Sequence, residues 1–108
     1  MTSVVVTKAH GKIVSVEASG HTGYAESGED IVCAALSAIV QTAAMGITEV
    51  AGIDAHIARN DEDGYFKLTL PALSEGKRRD ADLILETALR GIADISQSYP
   101  DFIDLEVK

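Results

Sequence analysis

At 108 residues and 11.4 kDa the chain has room for one hydrophobic core, so one domain over 1–108 is expected, with no separate cofactor domain. Seventeen acidic against nine basic side chains give a net charge of −8 and a pI near 4.6, which excludes the basic footprint of a DNA- or RNA-binding protein and favours a basic partner. With 46% apolar and 24% charged residues the composition is that of a folded chain, and a single cysteine excludes an internal disulfide framework and fits a reducing, cytoplasmic setting.

The N-terminal apolar run, Val4 to Val6, is too short for a signal peptide. Residues 3–9 and 12–19 read as strands. In the second, Val14, Val16 and Ala18 alternate with Ser15, Glu17 and Ser19, the period of a half-buried strand. His10-Gly11 is a two-residue hairpin turn in which glycine supplies a positive φ. A loop over about 20–30 follows, containing Gly20, Gly23 and Gly28.

A helix is expected over about 31–50, with Asp30 as its N-cap and Gly52 closing it. From Ile31 to Thr48 it carries no charge and touches the lower limit for a membrane span. Ser37, Gln41, Thr42 and Gly46 interrupt it, and no basic flank sets an orientation, so it reads as a helix buried in protein rather than lipid. Residues 54–60 and 65–70 form a second hairpin, with Phe66, Leu68 and Leu70 alternating with Tyr65, Lys67 and Thr69, and Pro71 ending the strand. An amphipathic helix over about 77–99 has Arg79, Asp82, Glu86 and Arg90 on one face and Leu85, Leu89, Ile92, Ile95 and Tyr99 on the other, with Glu86 and Arg90 paired one turn apart. Pro100 stops it. Ile103, Leu105 and Val107 mark a last strand.

The order is ββαββαβ, an α+β fold: a two-layer sandwich with a mixed sheet and two helices on one face. The first helix is apolar or small nearly all round and needs two partners, the sheet and either the second helix or another copy of the chain. A homodimer is the expectation.

The chemistry concentrates in residues 20–37. Cys33 falls at the third position of the first helix, where unpaired backbone N–H groups and the helix dipole favour an anionic, nucleophilic sulfur. His21 ends a strand, and a glycine-rich loop can fold it over the helix start. A Cys–His pair is the minimum unit of cysteine nucleophilic catalysis, and the helix-start N–H groups can hold an oxyanion. Asp30 either caps the helix or orients His21. Ser37, one turn beyond Cys33 on the same face, either donates a hydrogen bond in the site or bonds its own preceding turn. The competing reading is that Cys33 is a small core residue. His10 and His56 lack acidic or thiol neighbours and read as surface. One cysteine and three scattered histidines lack zinc-ligand spacing, so neither metal nor cofactor is expected. Lys77-Arg78-Arg79 is too short for a nucleic-acid patch, and the glycine loop lacks the Lys and Ser/Thr of a P-loop.

Gly20-His21, Gly23-Tyr24-Ala25, Gly28, Asp30-Ile31-Val32-Cys33-Ala34-Ala35 and Ser37 together resemble the ribosomal-processing cysteine protease family, Prp. The resemblance covers the whole chain in length and element order, its second half in pattern only. It implies a cysteine endopeptidase that removes the N-terminal extension of the precursor of large-subunit ribosomal protein twenty-seven. By the same resemblance Cys33 is the nucleophile, His21 the general base, Asp30 and Ser37 supporting residues, and 21–29 a flexible loop in a homodimer. The alternative is a non-catalytic ribosome-associated assembly module, in which the loop is a docking surface and Cys33 is packing.

Overall fold

The computed structural model describes residues 1–20 and 30–108. It contains strands β1 (Thr2–Ala9), β2 (Lys12–Ser19), β3 (His56–Asn60), β4 (Tyr65–Thr69) and β5 (Ile103–Val107), and helices α1 (Ile31–Met45) and α2 (Glu75–Ser98). The ββαββαβ order and the two-layer mixed sandwich expected from the sequence are what the fold shows.

The sheet order is β3-β4-β2-β1-β5, parallel only between β1 and β5. Strands β2 and β3 therefore run the same way and are joined through α1, while β4 and β5 run the opposite way and are joined through α2. Parallel crossovers are right-handed. The two crossovers start from opposed strands and move in opposite directions across the sheet, so a common hand puts both helices on one face. That face is apolar: Val4, Val6, Val16, Ala18, Leu68 and Ile103 are buried there. The other face carries Thr7, Glu17, Lys67 and Asp104.

The β1–β2 turn has positive φ at both His10 (54°) and Gly11 (79°), the pattern of a type I′ turn that matches strand twist. The alternation expected of Val14, Val16 and Ala18 is broken at Val14. Val14 does not share a face with Val16 and Ala18. The register shifts between Thr7 and Lys8, whose partners are Ser15 and Ile13, so Val14 is an extra residue in a bulge. Beyond the bulge the alternation changes phase, and Ile13, only 1% exposed, takes the core position.

Helix α1 runs on through a wider, π-type turn at Gly46–Val50 and leaves through Gly52 at φ 66°. Val32, Leu36, Val40, Ala44 and Ile47 are buried against the sheet and α2. The stretch Ile31–Val50 is long and apolar enough to cross a membrane by composition, with a mean hydropathy of 1.8. Burial on most sides is the expectation from the sequence, but only one side, about a third of the stretch, lies in the protein core, and Ile31, Met45 and Val50 are exposed. The helices approach closely at two glycines: a side chain at Gly46 would meet Ile84 at 3.2 Å, and one at Gly91 would meet Ile39 at 3.2 Å.

Helix α2 begins at Glu75, two residues before the sequence indicated, because Ser74 accepts from the Lys77 N–H and caps it there. Its polar side is tied to the first hairpin. Asp82 bridges Lys12 (3.1 Å) and Arg78 (2.7 Å), Glu86 bridges Lys8 (3.0 Å) and Arg90 (3.2 Å), and Arg78 also donates to the Ile13 carbonyl at 2.7 Å. Arg79, next to Arg78, is exposed. Partial burial, the largest single influence on Asp82, pushes its carboxyl up, but the hydrogen bonds and charges of Lys12 and Arg78 together hold it below the usual carboxylate range. The hydrogen bond from Lys8 does the same for Glu86 against a smaller desolvation cost.

Candidate active site

The end of β2 and the start of α1 meet at one rim of the sheet. Gly20 has φ 88°, and a Cβ there would lie 2.8 Å from the Met1 carbonyl oxygen, so only glycine fits. The Gly20 carbonyl accepts from the hydroxyl of Thr2, a residue only 3% exposed, at 3.1 Å. The strand end is thus fixed both by its conformation and by β1. His21, Gly23 and Gly28 lie outside the described residues.

Asp30 stands at the N-cap with extended backbone, and its Oδ1 accepts from the Cys33 N–H at 2.9 Å. Its carbonyl accepts from the Ala34 N–H at 3.1 Å. The cap reading of Asp30 is therefore realised in the geometry. This has a chemical corollary. The Cys33 N–H, the backbone donor of the thiol's own residue, is already committed to a carboxylate. The helix-start donors left by an N-cap are those of the first two residues, Ile31 and Val32.

Cys33 is the third residue of α1 and is half-buried. It lines a cavity of about 300 Å³. Ser37 and Gln41, each one turn further along α1, line it too, so three residues at a spacing of four form one stripe along its wall. The floor is apolar, from Ala18, Leu36, Val40 and Phe66, and Arg59 and Asp61 stand at the rim. Those two form an ion pair at 2.6 Å that holds the Arg59 guanidinium charged, chiefly through its hydrogen bond to Asp61. Tyr65, also at this end, donates its hydroxyl to Glu17 at 2.7 Å, and that bond raises its pKa. Gln41, Arg59 and Phe66 did not stand out in the sequence. Gln41 was legible only as the next step of the Cys33–Ser37 period, and Arg59 and Phe66 only from their facing register across β3 and β4. His10 and His56 are exposed, as expected.

The family model for cysteine protease Prp matches residues 1–104. The chain belongs to the cysteine protease Prp family. It is accordingly a cysteine peptidase. The ribosomal processing cysteine protease Prp of Bacillus subtilis is 31% identical over 103 residues, covering 94% of this chain and 92% of its own length. Among solved structures, the essential ribosomal processing protease Prp of S. aureus, in complex with a covalently linked product peptide, superposes with a TM-score of 0.90 at 30% identity, covering 100% of both chains. The same protease with a substrate peptide gives 0.85 at 29%, again covering 100% of both. This likeness extends through α2 and β5, where the sequence resembled the Prp family in pattern alone.

Proposed function

We propose that this chain is an endopeptidase of ribosome maturation that removes the N-terminal extension from the precursor of large-subunit ribosomal protein twenty-seven. The observation that carries the reading is Cys33 at the third position of α1, opening on a cavity with an apolar floor. Its relatives are ribosomal processing proteases, which supports the substrate class. The charge of −8 supports it as well, since ribosomal proteins are basic.

In this mechanism His21 takes the proton of the Cys33 thiol, and Sγ attacks the scissile carbonyl carbon to form a tetrahedral oxyanion. The oxyanion is held by the Ser37 hydroxyl and by N–H groups of the first turn of α1. Asp30 supports the site by capping the helix that carries the sulfur. As the C–N bond breaks, His21 returns its proton to the leaving amine, and the acyl group remains as a thioester. Water, deprotonated by His21, attacks that thioester; the carboxylic acid leaves and the thiol is restored. A covalent product complex in a relative supports a covalent course here.

The test is to mix the purified protein with the unprocessed precursor and weigh the products, with Cys33→Ala alongside. One cut near the precursor N-terminus, absent with Cys33→Ala, is the expected result. Binding without any cut would favour the non-catalytic assembly module.

The working form in this reading is a homodimer. The outer side of α1 and α2 holds an apolar groove of about 650 Å³ with no charged residue among those lining it. Leu83, 68% exposed, stands on its rim. A second copy of the same face would cover it. Analytical ultracentrifugation should give twice the chain mass at micromolar concentration, and Leu83→Glu should halve it. A wild-type monomer at that concentration would remove the dimer.

A further inference from the structure

The wall of the cavity contains a hydrogen bond whose direction matters. Gln41 Nε2 donates to Ser37 Oγ at 2.6 Å. A serine or threonine in mid-helix either turns its hydroxyl outward or donates it to the carbonyl four residues back. Two helical hydroxyls of this protein do the latter: Thr48 to Ala44 at 3.0 Å and Thr87 to Leu83 at 2.6 Å. Ser37 does not. Among the described residues, its oxygen is engaged as an acceptor from Gln41. An amide N–H on one lone pair leaves the hydroxyl proton to point elsewhere, and both residues line the cavity that Cys33 opens on.

The Cys33 N–H cannot serve as the near donor to an oxyanion while it is bonded to Asp30. A side-chain donor one turn along the same stripe is the available substitute. We propose that Gln41 is a positioning residue for the peptidase reaction: by donating to Ser37 Oγ it turns the Ser37 hydroxyl away from its own helix and presents the proton to the developing oxyanion. This rests on the reading of Ser37 given above. Gln41 touches no reacting atom in this scheme, and its effect passes entirely through Ser37.

The experiment uses Gln41→Met, which keeps the length of the side chain and removes the donor, and Gln41→Leu as a second variant. Each is assayed on a synthetic peptide spanning the cut mapped by product mass. The expected result is a kcat about tenfold lower with KM little changed. The rate of Cys33 alkylation by iodoacetamide should stay the same, because that displacement forms no oxyanion. In a Ser37→Ala background Gln41→Met should cost nothing further, since the two residues act as one unit. Full kcat in both Gln41 variants would overturn the proposal and leave the role of Ser37 standing. So would losses that multiply with Ser37→Ala, or an alkylation rate that falls in step with kcat. Full activity of Ser37→Ala alone would instead remove the reading of Ser37 on which the proposal depends.

Discussion

The two helices of this protein begin in the same way and do different things. Each has a side-chain oxygen at the N-cap that accepts from the N–H of the third helical residue: Asp30 to Cys33 at 2.9 Å in α1, Ser74 to Lys77 at 3.3 Å in α2. In α2 the residues after the cap are charged and reach across to other elements. The Lys77 ammonium donates to the Ala51 carbonyl at the end of α1, and Arg78 reaches the bulge of β2 at Ile13 and the Asp82 carboxylate. In α1 the first turn holds no acid, and its third residue faces a cavity. The same local geometry thus serves as an anchor where its neighbours are ionic and, in the proposed reaction, as the seat of the nucleophile where they are absent. A cap makes a helix start; the side chains behind it decide its use.

The contrast is sharpest if the residues after each cap are exchanged for alanine. Cys33→Ala should lower peptide cleavage by at least about 10³-fold and leave the thermal midpoint nearly unchanged. Arg78→Ala should do the reverse, lowering stability by about 1–2 kcal/mol in urea titration while kcat holds. A fall in kcat with Arg78→Ala matching that of Cys33→Ala would break the distinction between anchor and reactive surface.

The caps themselves give a smaller effect. Asp30→Ala and Ser74→Ala should each cost about 1 kcal/mol of unfolding free energy. Only Asp30→Ala should also change cleavage, because it frees the Cys33 N–H and loosens the turn that carries the sulfur. Asp30→Asn keeps the cap and should restore most of the stability.

The smallest effect is acid sensitivity on the α2 side. Asp82 and Glu86 have carboxyls held below their ordinary range, so the folded state loses these protons more readily than the unfolded chain. Their contribution is therefore complete above the unfolded value of about 4 and is lost as pH falls through the lower folded values. Thermal midpoints should be level from pH 7 to about 5 and drop below about pH 4. Asp82→Asn together with Glu86→Gln should flatten that drop, each pair being worth about 0.5–1 kcal/mol. An unchanged acid slope in the double variant would assign the drop to other carboxylates.

The elements were legible in the sequence wherever a local rule governs them. Asp30 before an apolar run, His10-Gly11 between alternating strands and Gly52 after the helix each fixed a boundary by short-range chemistry. The phase of β2 was not legible, because Val14 is as apolar as Ile13 and only the pairing with Thr7 and Lys8 decides which turns inward. The start of α2 at Glu75 is hidden in the sequence because Ser74 is followed by Glu75 and Gly76, and glycine lowers helix propensity. At the site, Cys33 and Ser37 carried their own chemical signal, and the resemblance to the Prp family supplied the family to which the chain belongs. The cavity floor was hidden because Ala18 and Phe66 reach it through the sheet, far apart along the chain. Gln41 gave no signal of its own type; what distinguishes it is the direction of one hydrogen bond.

The apolar character of α1 also dictates when the molecule can finish folding. Strands β1 and β2 pair through a two-residue turn and can form early. Helix α1 follows directly, yet the residues that cover its second flank, Ile84 against Gly46 and Gly91 against Ile39, come some 40 to 50 positions later in the chain. During synthesis the emerging segment presents an uncharged helix of near membrane-span length with one side uncovered until α2 is complete. The docking of α2 onto α1 is therefore the step that covers this flank, and substitutions that slow it should lower the yield of folded protein more than its final stability.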